Sequence, residues 1–525
     1  MRDFHKPGRS AVFATNGMCA TSHPLAAQTA IDVLKRGGNA MDAAIAGAVL
    51  LGICEPQMTS IGGDCFALVS PAGTNKVLAM NGSGHAPRAA KAEDLREQGL
   101  SDVPITGPES VTIPTAVDAF CKMSERWGKL GIDALLAPAI HYAEEGVPVA
   151  PRVAADWVSG AENLKGSARR FYLKDGQPLK TGDIFRSPEQ AEVLRRIAKS
   201  GASAFYEGEV AEDMQATLAQ FGGVHQLEDF ADANAFETDP IQSAYKDVDL
   251  IEHPPNGQGA TAGLILNILS NFDLASMDPF GVERTHIEAE AVKLGYDARN
   301  RFLADPDHMA KLEYMLSNDT ASQLADLIDP KKAMANATQL SEAVHKDTIY
   351  ITVVDKDRMS VSLIYSIFHT FGAGIASDKF GILLHNRGSG FTLKQGHPNE
   401  YGAGKRPMHT IIPGMLAKSN VPVMPFGVMG GQYQANGHAR LITNLMDFGM
   451  DIQTAIDSPR AFAYEGQLQL ENTFPESTAR QLADMGHEIV APPSAIGGAQ
   501  AIFMHDTGIL EGGSDPRKDG CALGY

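Results

Sequence analysis

A hydroxyl residue placed where a polar connector meets a strand is positioned to attack the carbonyl before it and so become a new amino terminus. Such a junction occurs at Asp347-Thr348, where the polar stretch from Asn336 to Lys346 gives way to TIYITVVD. A threonine freed in this way carries its own base, because the α-amine can take the proton from Oγ. Thr348 also suits a strand start on conformational grounds alone, since a branched side chain fits the pleat. The run continues through a turn, DKDR, into MSVSLIYSIF, and a turn centred at Asp357 pairs residues whose numbers sum to 714. Ser366 then faces Thr348. A hydroxyl there is able to hold the new amine; the alternative is a cross-strand pair of purely structural value. In FGVMGGQYQ, Gly430 and Gly431 follow an apolar strand and leave backbone N–H groups unshielded, which suits an oxyanion or, more plainly, a tight turn.

The elements that must position these residues are legible from period and punctuation. Ser22 and Pro24 open a helical pattern, LAAQTAIDVLKR, that Gly37-Gly38 closes. A second helix, NAMDAAIAGAVLLGI, is small and apolar nearly all round and reads as buried on most faces. From about 110 to 330 the chain reads mainly as helices broken by Gly and Pro, with apolar residues at three- and four-residue spacing in AEVLRRIAKSG and LADLIDPKKA. From Thr348 onward GILLHN, HTIIPGML and VPVMPFGVM add strand-like runs, so the C-terminal part is richer in sheet.

Composition narrows the partners. With 525 residues, 44% apolar and 20% charged, the chain can bury a large core. A formal charge of −19 without a clustered Lys/Arg tract disfavours nucleic acid and anionic membrane, both of which need a basic footprint. The first residues lack the apolar run of a secretory signal, and Ala43 to Cys54 is too short to span a bilayer. The expectation is a cytoplasmic protein with a small-molecule ligand; a homo-oligomer stays open. Cys19, Cys54, Cys65, Cys121 and Cys521 are scattered and odd in number, which suggests neither a disulfide framework nor a zinc site. His286 and Glu290 have metal-like spacing but no third ligand nearby in sequence, and read as a solvated helix face. No metal is expected.

An ordered set of segments resembles the gamma-glutamyltranspeptidase family along essentially the whole chain. They are GGNAMDAAIA from Gly37, SIGGDCFAL from Ser60, PPNGQGATAGLILNILSNFDL from Pro254, DTIYITVVDKD from Asp347, TFGAGI from Thr370, GILLHN from Gly381, GKRP from Gly404, MGG from Met429, DSPR from Asp457 and GSDPR from Gly513. The resemblance implies an α+β fold, a four-layer αββα sandwich of the N-terminal-nucleophile hydrolase type. It implies a precursor that cuts itself between Asp347 and Thr348 into a large subunit, 1–347, and a small one, 348–525, which together form one globular unit. On the same resemblance Thr348 stands at the nucleophile position, Ser366 where the family usually has a threonine supporting the new amino terminus, and Gly430 and Gly431 at the oxyanion pair. No metal or organic cofactor is implied.

The substrate-binding positions depart from the family pattern. Ser83 in NGSGHAP stands where a carboxylate-binding arginine is usual, and His409 and Thr410 replace paired serines after KRP. In HNRGSGF, Arg387 and Gly390 replace the acid and its neighbour that meet a substrate ammonium, and Phe368 replaces an asparagine. A guanidinium repels an ammonium and suits a carboxylate, so the expected substrate is a small amide bearing its own carboxylate, oxamate being the simplest. Arg387 bracing its loop through backbone carbonyls is the plainer reading. These departures resemble a side branch containing oxamate amidohydrolase, glutathione-hydrolase-like proteins and some cephalosporin acylases. The segment between HPNEYG and GKRP is very short, which predicts no lid and an open pocket. Competing readings are a gamma-glutamyltransferase or glutathione hydrolase, and an uncleaved, inactive precursor acting as a binding protein.

Overall fold

The computed structural model describes residues 5, 8–309, 311–334 and 348–525. Asp347 and the polar connector from Asn336 to Lys346 lie outside the described residues.

Two seven-stranded sheets are stacked face to face. The order in one is Val12–Ala14, Leu510–Ser514, Gly498–Met504, Val421–Met429, Gly414–Lys418, Val248–Glu252, Ile241–Tyr245. In the other it is Cys521–Gly524, Met18–Thr21, Ile349–Val354, Ser360–Ser366, Asp64–Ser70, Leu78–Gly82, Phe236–Thr238. Helices Pro24–Lys35 and Ala40–Cys54 cover the second sheet, while Gly259–Leu269 and Gln434–Met446 cover the first. This is the expected four-layer αββα sandwich. Strands from both sides of residue 348 contribute to each sheet, so neither part of the chain owns a complete sheet.

The central hairpin shows how the layers are read from residue parity. Successive side chains of a strand point to opposite faces. Ile349, Ile351, Val353, Val361, Leu363 and Tyr365 pack into the helix-side core, whereas Tyr350, Val354 and Ile364 pack between the sheets. Even-numbered positions of this hairpin therefore face the other sheet. The strand Asp64–Ser70 follows the same parity, with Cys65, Ala67 and Val69 toward the helices and Phe66 and Leu68 toward the opposite sheet.

Both N-terminal helices form where the sequence places them, though the first is capped by His23 and not Ser22. The Ser22 hydroxyl donates instead to Glu55 Oε1 at 2.5 Å. Helix Ala40–Cys54 is buried along its whole length and begins with an Asn39–Asp42 capping box. All five cysteines are free. No helix among the described residues is long and apolar enough to cross a membrane.

The region 110–330 is mainly helical, as expected, with Phe236–Thr238, Ile241–Tyr245 and Val248–Glu252 each joining a major sheet. Two expectations need correction. GILLHN forms isolated bridges, Gly62 with Leu384 and Ala376 with Leu383, instead of a strand. His286 and Glu290 are not on a solvated face. Helix Val282–Phe302 is packed against Gly259–Leu269 on one side and against Ala461–Tyr464 and Glu476–Asp484 on others, so both residues are fully buried, with His487 beside them.

Candidate active site

The site starts from strand register. Ile349 pairs with Tyr365 across the hairpin, a sum of 714, which sets Thr348 opposite Ser366. On the far side of the same strand Ser366 pairs with Asp64. Thr348, Ser366 and Asp64 thus form a row at one end of the sheet, and by parity all three side chains point into the space between the sheets. Thr348 Oγ1 lies 3.2 Å from Ser366 Oγ. Ser366 Oγ also accepts from the Phe368 amide at 2.8 Å, which fixes the hydroxyl oxygen in place.

The row is tightly enclosed by backbone. A Cβ on Gly63 would come within 2.4 Å of the Ser366 carbonyl, so the chain entering the Asp64 strand needs glycine there. After Ser366 the chain turns through Phe368 at φ 78°, a left-handed conformation that a bulky residue seldom adopts. The turn is pinned by the segment carrying Arg387: the Asn386 amide donates to the Ile367 carbonyl at 3.2 Å, and the His369 amide donates to Asn386 Oδ1 at 3.0 Å. This docking lays the Arg387 guanidinium over the Phe368 ring, 4.1 Å from its centre.

Arg387 is fully buried. Its Nη1 donates to Thr410 Oγ1 at 3.2 Å, and its Nε lies 3.5 Å from Asp64 Oδ2. Among the described residues its contacts are thus to side chains, not to the carbonyls of its own loop, and both Nε and Nη2 are buried with no hydrogen-bond partner. Burial pulls the guanidinium down to about 9, with Asp64 opposing the shift, so it is a cation at neutral pH.

Asp64 is the functional-site residue that the sequence reading passed over. Its Oδ2 accepts from His409 Nε2 at 2.9 Å, its Oδ1 lies 3.4 Å from His385 Nδ1, and the Gly84 amide donates to Oδ1 at 3.3 Å. Burial by itself would raise the carboxyl, but the surrounding His385 and His409 outweigh it and hold Asp64 well below the usual carboxylate range. Burial, and then the Arg387 charge, lower His409 to about 3, so its ring is neutral and donates from Nε2. The acid was visible in SIGGDCFAL as a charge heading an apolar strand. Its convergence on Arg387, 323 positions later, was not, because that contact depends on how the sheet is ordered.

The remaining expected residues divide into two groups. His409 and Thr410 join Arg387 and Asp64 directly. Ser83 lies in the adjoining wall: its hydroxyl accepts from Asn256 Nδ2 at 3.0 Å, and the same amide reaches the Pro407 carbonyl at 2.7 Å. The Ser83 carbonyl accepts from Arg406 Nε at 3.0 Å.

Gly430 and Gly431 sit at the end of strand Val421–Met429, in the sheet facing the hairpin. Met429 packs with Tyr350, Ile364 and Phe66, the residues two steps along from Thr348, Ser366 and Asp64. Both glycines have positive φ, 119° and 54°, and a Cβ on Gly430 would meet Gly497 Cα at 2.8 Å. Gln258 Nε2 donates to the Gly431 carbonyl at 3.1 Å and to the Thr410 carbonyl at 2.7 Å, and Arg299 holds Gln258 Oε1 at 2.9 Å. One buried amide therefore couples the glycine turn to the loop bearing His409 and Thr410.

Thr348 is 1% exposed, and Ser366 and Arg387 are 0% exposed. Asn399 clasps the short connection to GKRP inward, donating to the Gly390 carbonyl at 2.7 Å and accepting from the Met408 amide at 2.8 Å.

Comparison with known proteins agrees with this architecture. A family profile described as gamma-glutamyltranspeptidase matches residues 26–525. The chain belongs to the gamma-glutamyltranspeptidase family. Within the family it is 34% identical to the glutathione hydrolase-like YwrD proenzyme of Bacillus subtilis, over 98% of this chain and 99% of the relative. It is 32% identical to the oxamate amidohydrolase proenzyme of Klebsiella pneumoniae, again over 98% and 99%. The crystal structure of a cephalosporin acylase from Bacillus halodurans superimposes with a TM-score of 0.93 at 37% identity, covering 100% of this chain and 99% of that one. The protein is thus an enzyme of the family, with the fold of N-terminal-nucleophile hydrolases and relatives made as proenzymes.

Proposed function

We propose that the chain is a self-processing threonine amidohydrolase that cuts itself between Asp347 and Thr348 and then hydrolyses a small amide bearing a carboxylate. The observation that carries the reading is the Thr348–Ser366 hydroxyl pair, 3.2 Å apart and aimed between the sheets beside a buried cation. Relatives named for amide hydrolysis, and described as proenzymes, support it.

In this reading the cut frees the Thr348 α-amine, and Thr348 Oγ attacks the substrate carbonyl while that amine takes its proton. Oxyanion charge develops against the Gly430 and Gly431 amides, each contributing on the order of 3 kcal/mol. Collapse breaks the C–N bond, the amine passes its proton to the leaving nitrogen, and an ester on Thr348 remains. Water, deprotonated by the same amine, attacks the ester, and the second collapse returns Thr348 Oγ and releases the acid. Ser366 orients the amine. Arg387 holds the substrate carboxylate through Nη2, which has no hydrogen-bond partner among the described residues, with Thr410 bonded to Nη1 and the Asp64 charge beside Nε.

A second reading is favoured by Asp64. The acid supplies a buried negative charge beside Arg387, which a gamma-glutamyl ammonium would find attractive, although its oxygens are already engaged by His409 and the Gly84 amide. Ammonia release from oxamate, measured beside release from a chromogenic gamma-glutamyl anilide, separates the two. Turnover of oxamate alone supports the first reading, turnover of the anilide alone the second, and no turnover of either by fully cleaved protein counts against both.

A further inference from the structure

Outside the Thr348 row, a second group of buried polar side chains takes no part in amide hydrolysis. His286 and Glu290 lie one turn apart on the same face of helix Val282–Phe302, and His487 approaches them from beyond helix Glu476–Asp484. His286 Nδ1 is 2.8 Å from His487 Nε2, and that nitrogen is 4.0 Å from Glu290 Oε1. One ligand atom from each residue lies within 4.8 Å of the others.

We propose that His286, Glu290 and His487 form a binding site for one divalent transition-metal ion of the zinc type. The surrounding bonds leave the right atoms facing inward. His286 Nε2 is 2.8 Å from the Asp329 carbonyl, which only accepts, so Nε2 carries the proton and Nδ1 presents its lone pair. A metal-bound histidine held by a backbone carbonyl through its other nitrogen is the usual outer arrangement of such sites. Glu290 Oε2 accepts from the Met334 amide at 2.8 Å, which leaves Oε1 as the ligand oxygen. Two imidazoles and a carboxylate match a zinc site with three protein ligands and a water, whereas calcium and magnesium take oxygen ligands. Bonds of about 2.0–2.2 Å require the two nitrogens to part slightly and Glu290 to close by a small rotation.

One group opposes the ion. Lys293 Nζ donates to Glu290 Oε1 at 2.7 Å and reaches the Met334 carbonyl at 3.3 Å. Its side chain is partly solvent-accessible, so it is able to swing out when the ion takes Oε1. Binding thus displaces the Lys293 ammonium and moves the His487 proton from Nε2 to Nδ1. Because His286 and Glu290 precede residue 348 and His487 follows it, the ion would tie together the two parts of the chain that a cut before Thr348 creates.

The test is to strip the purified protein with a chelator and titrate it with Zn²⁺ alone and Co²⁺ alone. Expected are one ion per chain, visible Co²⁺ bands of a tetrahedral N/O site, and a higher melting temperature with Zn²⁺. Loss of a supporting partner around a metal typically costs about 10–100-fold in affinity, so His487→Gln, which removes a ligand, should cost at least that much. Lys293→Met removes the competitor and should tighten binding several-fold. It also keeps the proposal testable if His487→Gln fails to fold. No stoichiometric binding, or binding that neither Lys293→Met nor His487→Gln alters, would overturn it, leaving a hydrogen-bonded brace and ions held only at the surface.

Discussion

Ser366 Oγ sits between two partners of different kinds: the Phe368 amide donates to it from 2.8 Å, and the Thr348 hydroxyl, able to donate or accept, lies 3.2 Å away across the hairpin. The first contact depends on the left-handed turn at Phe368, and the second on the register of the strands. A hydroxyl held on both sides has little freedom to rotate, so it is suited to orienting a neighbouring amine.

Ser366→Ala is therefore expected to lower kcat of the mature enzyme by about tenfold or more, with little change in KM, since removing one hydrogen bond to a charged group costs roughly 1.5–3 kcal/mol. Ser366→Thr keeps the hydroxyl and should retain most of the activity. Steady-state kinetics on fully cleaved protein decide the matter; an alanine variant with an unchanged kcat would remove Ser366 from the mechanism.

Purified protein should run as two fragments on a denaturing gel, with Thr348 at the amino terminus of the smaller, and Thr348→Ala should remain full length. The fragments should nevertheless elute together by size exclusion. Strand Ser360–Ser366 pairs with Asp64–Ser70, and Val421–Met429 shares a sheet with Val248–Glu252, so separation would break both sheets. Separation in native buffer would contradict the interleaved topology.

The hairpin was legible because it rests on local information: the strand-like runs TIYITVVD and MSVSLIYSIF flank the DKDR turn, and that turn fixes register. The same holds for Ala40–Cys54, whose all-round apolar sequence leaves no other place than the core. Asp64 and His487 were not legible in their roles. Asp64 meets Arg387 only because its strand lies next to Ser360–Ser366 in the sheet, and His487 meets His286 only through the packing of two helices distant in sequence. GILLHN failed for a related reason: its backbone bonds are spread over Gly62, Ile367, Ala373, Ile375 and Ser377 instead of one strand, and apolar composition does not distinguish a buried loop from a strand.

Glu55 offers a pH-dependent test. Burial, reinforced by the Asp519 and Asp156 carboxylates and opposed by Ser22 and Lys518, raises its carboxyl to about 7. An unfolded glutamate titrates near about 4.3, so the folded chain holds this proton more tightly than the unfolded one. Stability from this group is full below about pH 4.3 and declines as pH rises to about 7, a loss on the order of 4 kcal/mol. Glu55→Gln keeps an acceptor for the Ser22 hydroxyl and cannot ionise. Its melting temperature should exceed that of the parent at pH 8, with the difference vanishing near pH 4. An equal difference at both pH values would show that Glu55 does not titrate in this range.

In the proposed reaction specificity turns on the pair Arg387 and Asp64, 3.5 Å apart in a fully buried setting. Asp64 neutralises part of the guanidinium charge from beside Nε, and among the described residues neither Nε nor Nη2 has a hydrogen-bond partner, so both are open to a ligand in the proposed reaction. Arg387→Ala is accordingly expected to raise KM for oxamate about ten- to a hundredfold, since a charge-assisted contact is worth roughly 1.5–3 kcal/mol. Cleavage before Thr348 should proceed as in the parent, because maturation needs no substrate and Arg387 touches neither Thr348 nor Ser366 in the described contacts. Asp64→Asn supplies the opposite arm. If the site instead receives a gamma-glutamyl ammonium, that variant should abolish anilide turnover, while Arg387→Ala leaves it intact or improves it. Kinetics of both variants on both substrates, each checked for complete cleavage by gel, distinguish a carboxylate held by Arg387 from an ammonium held by Asp64.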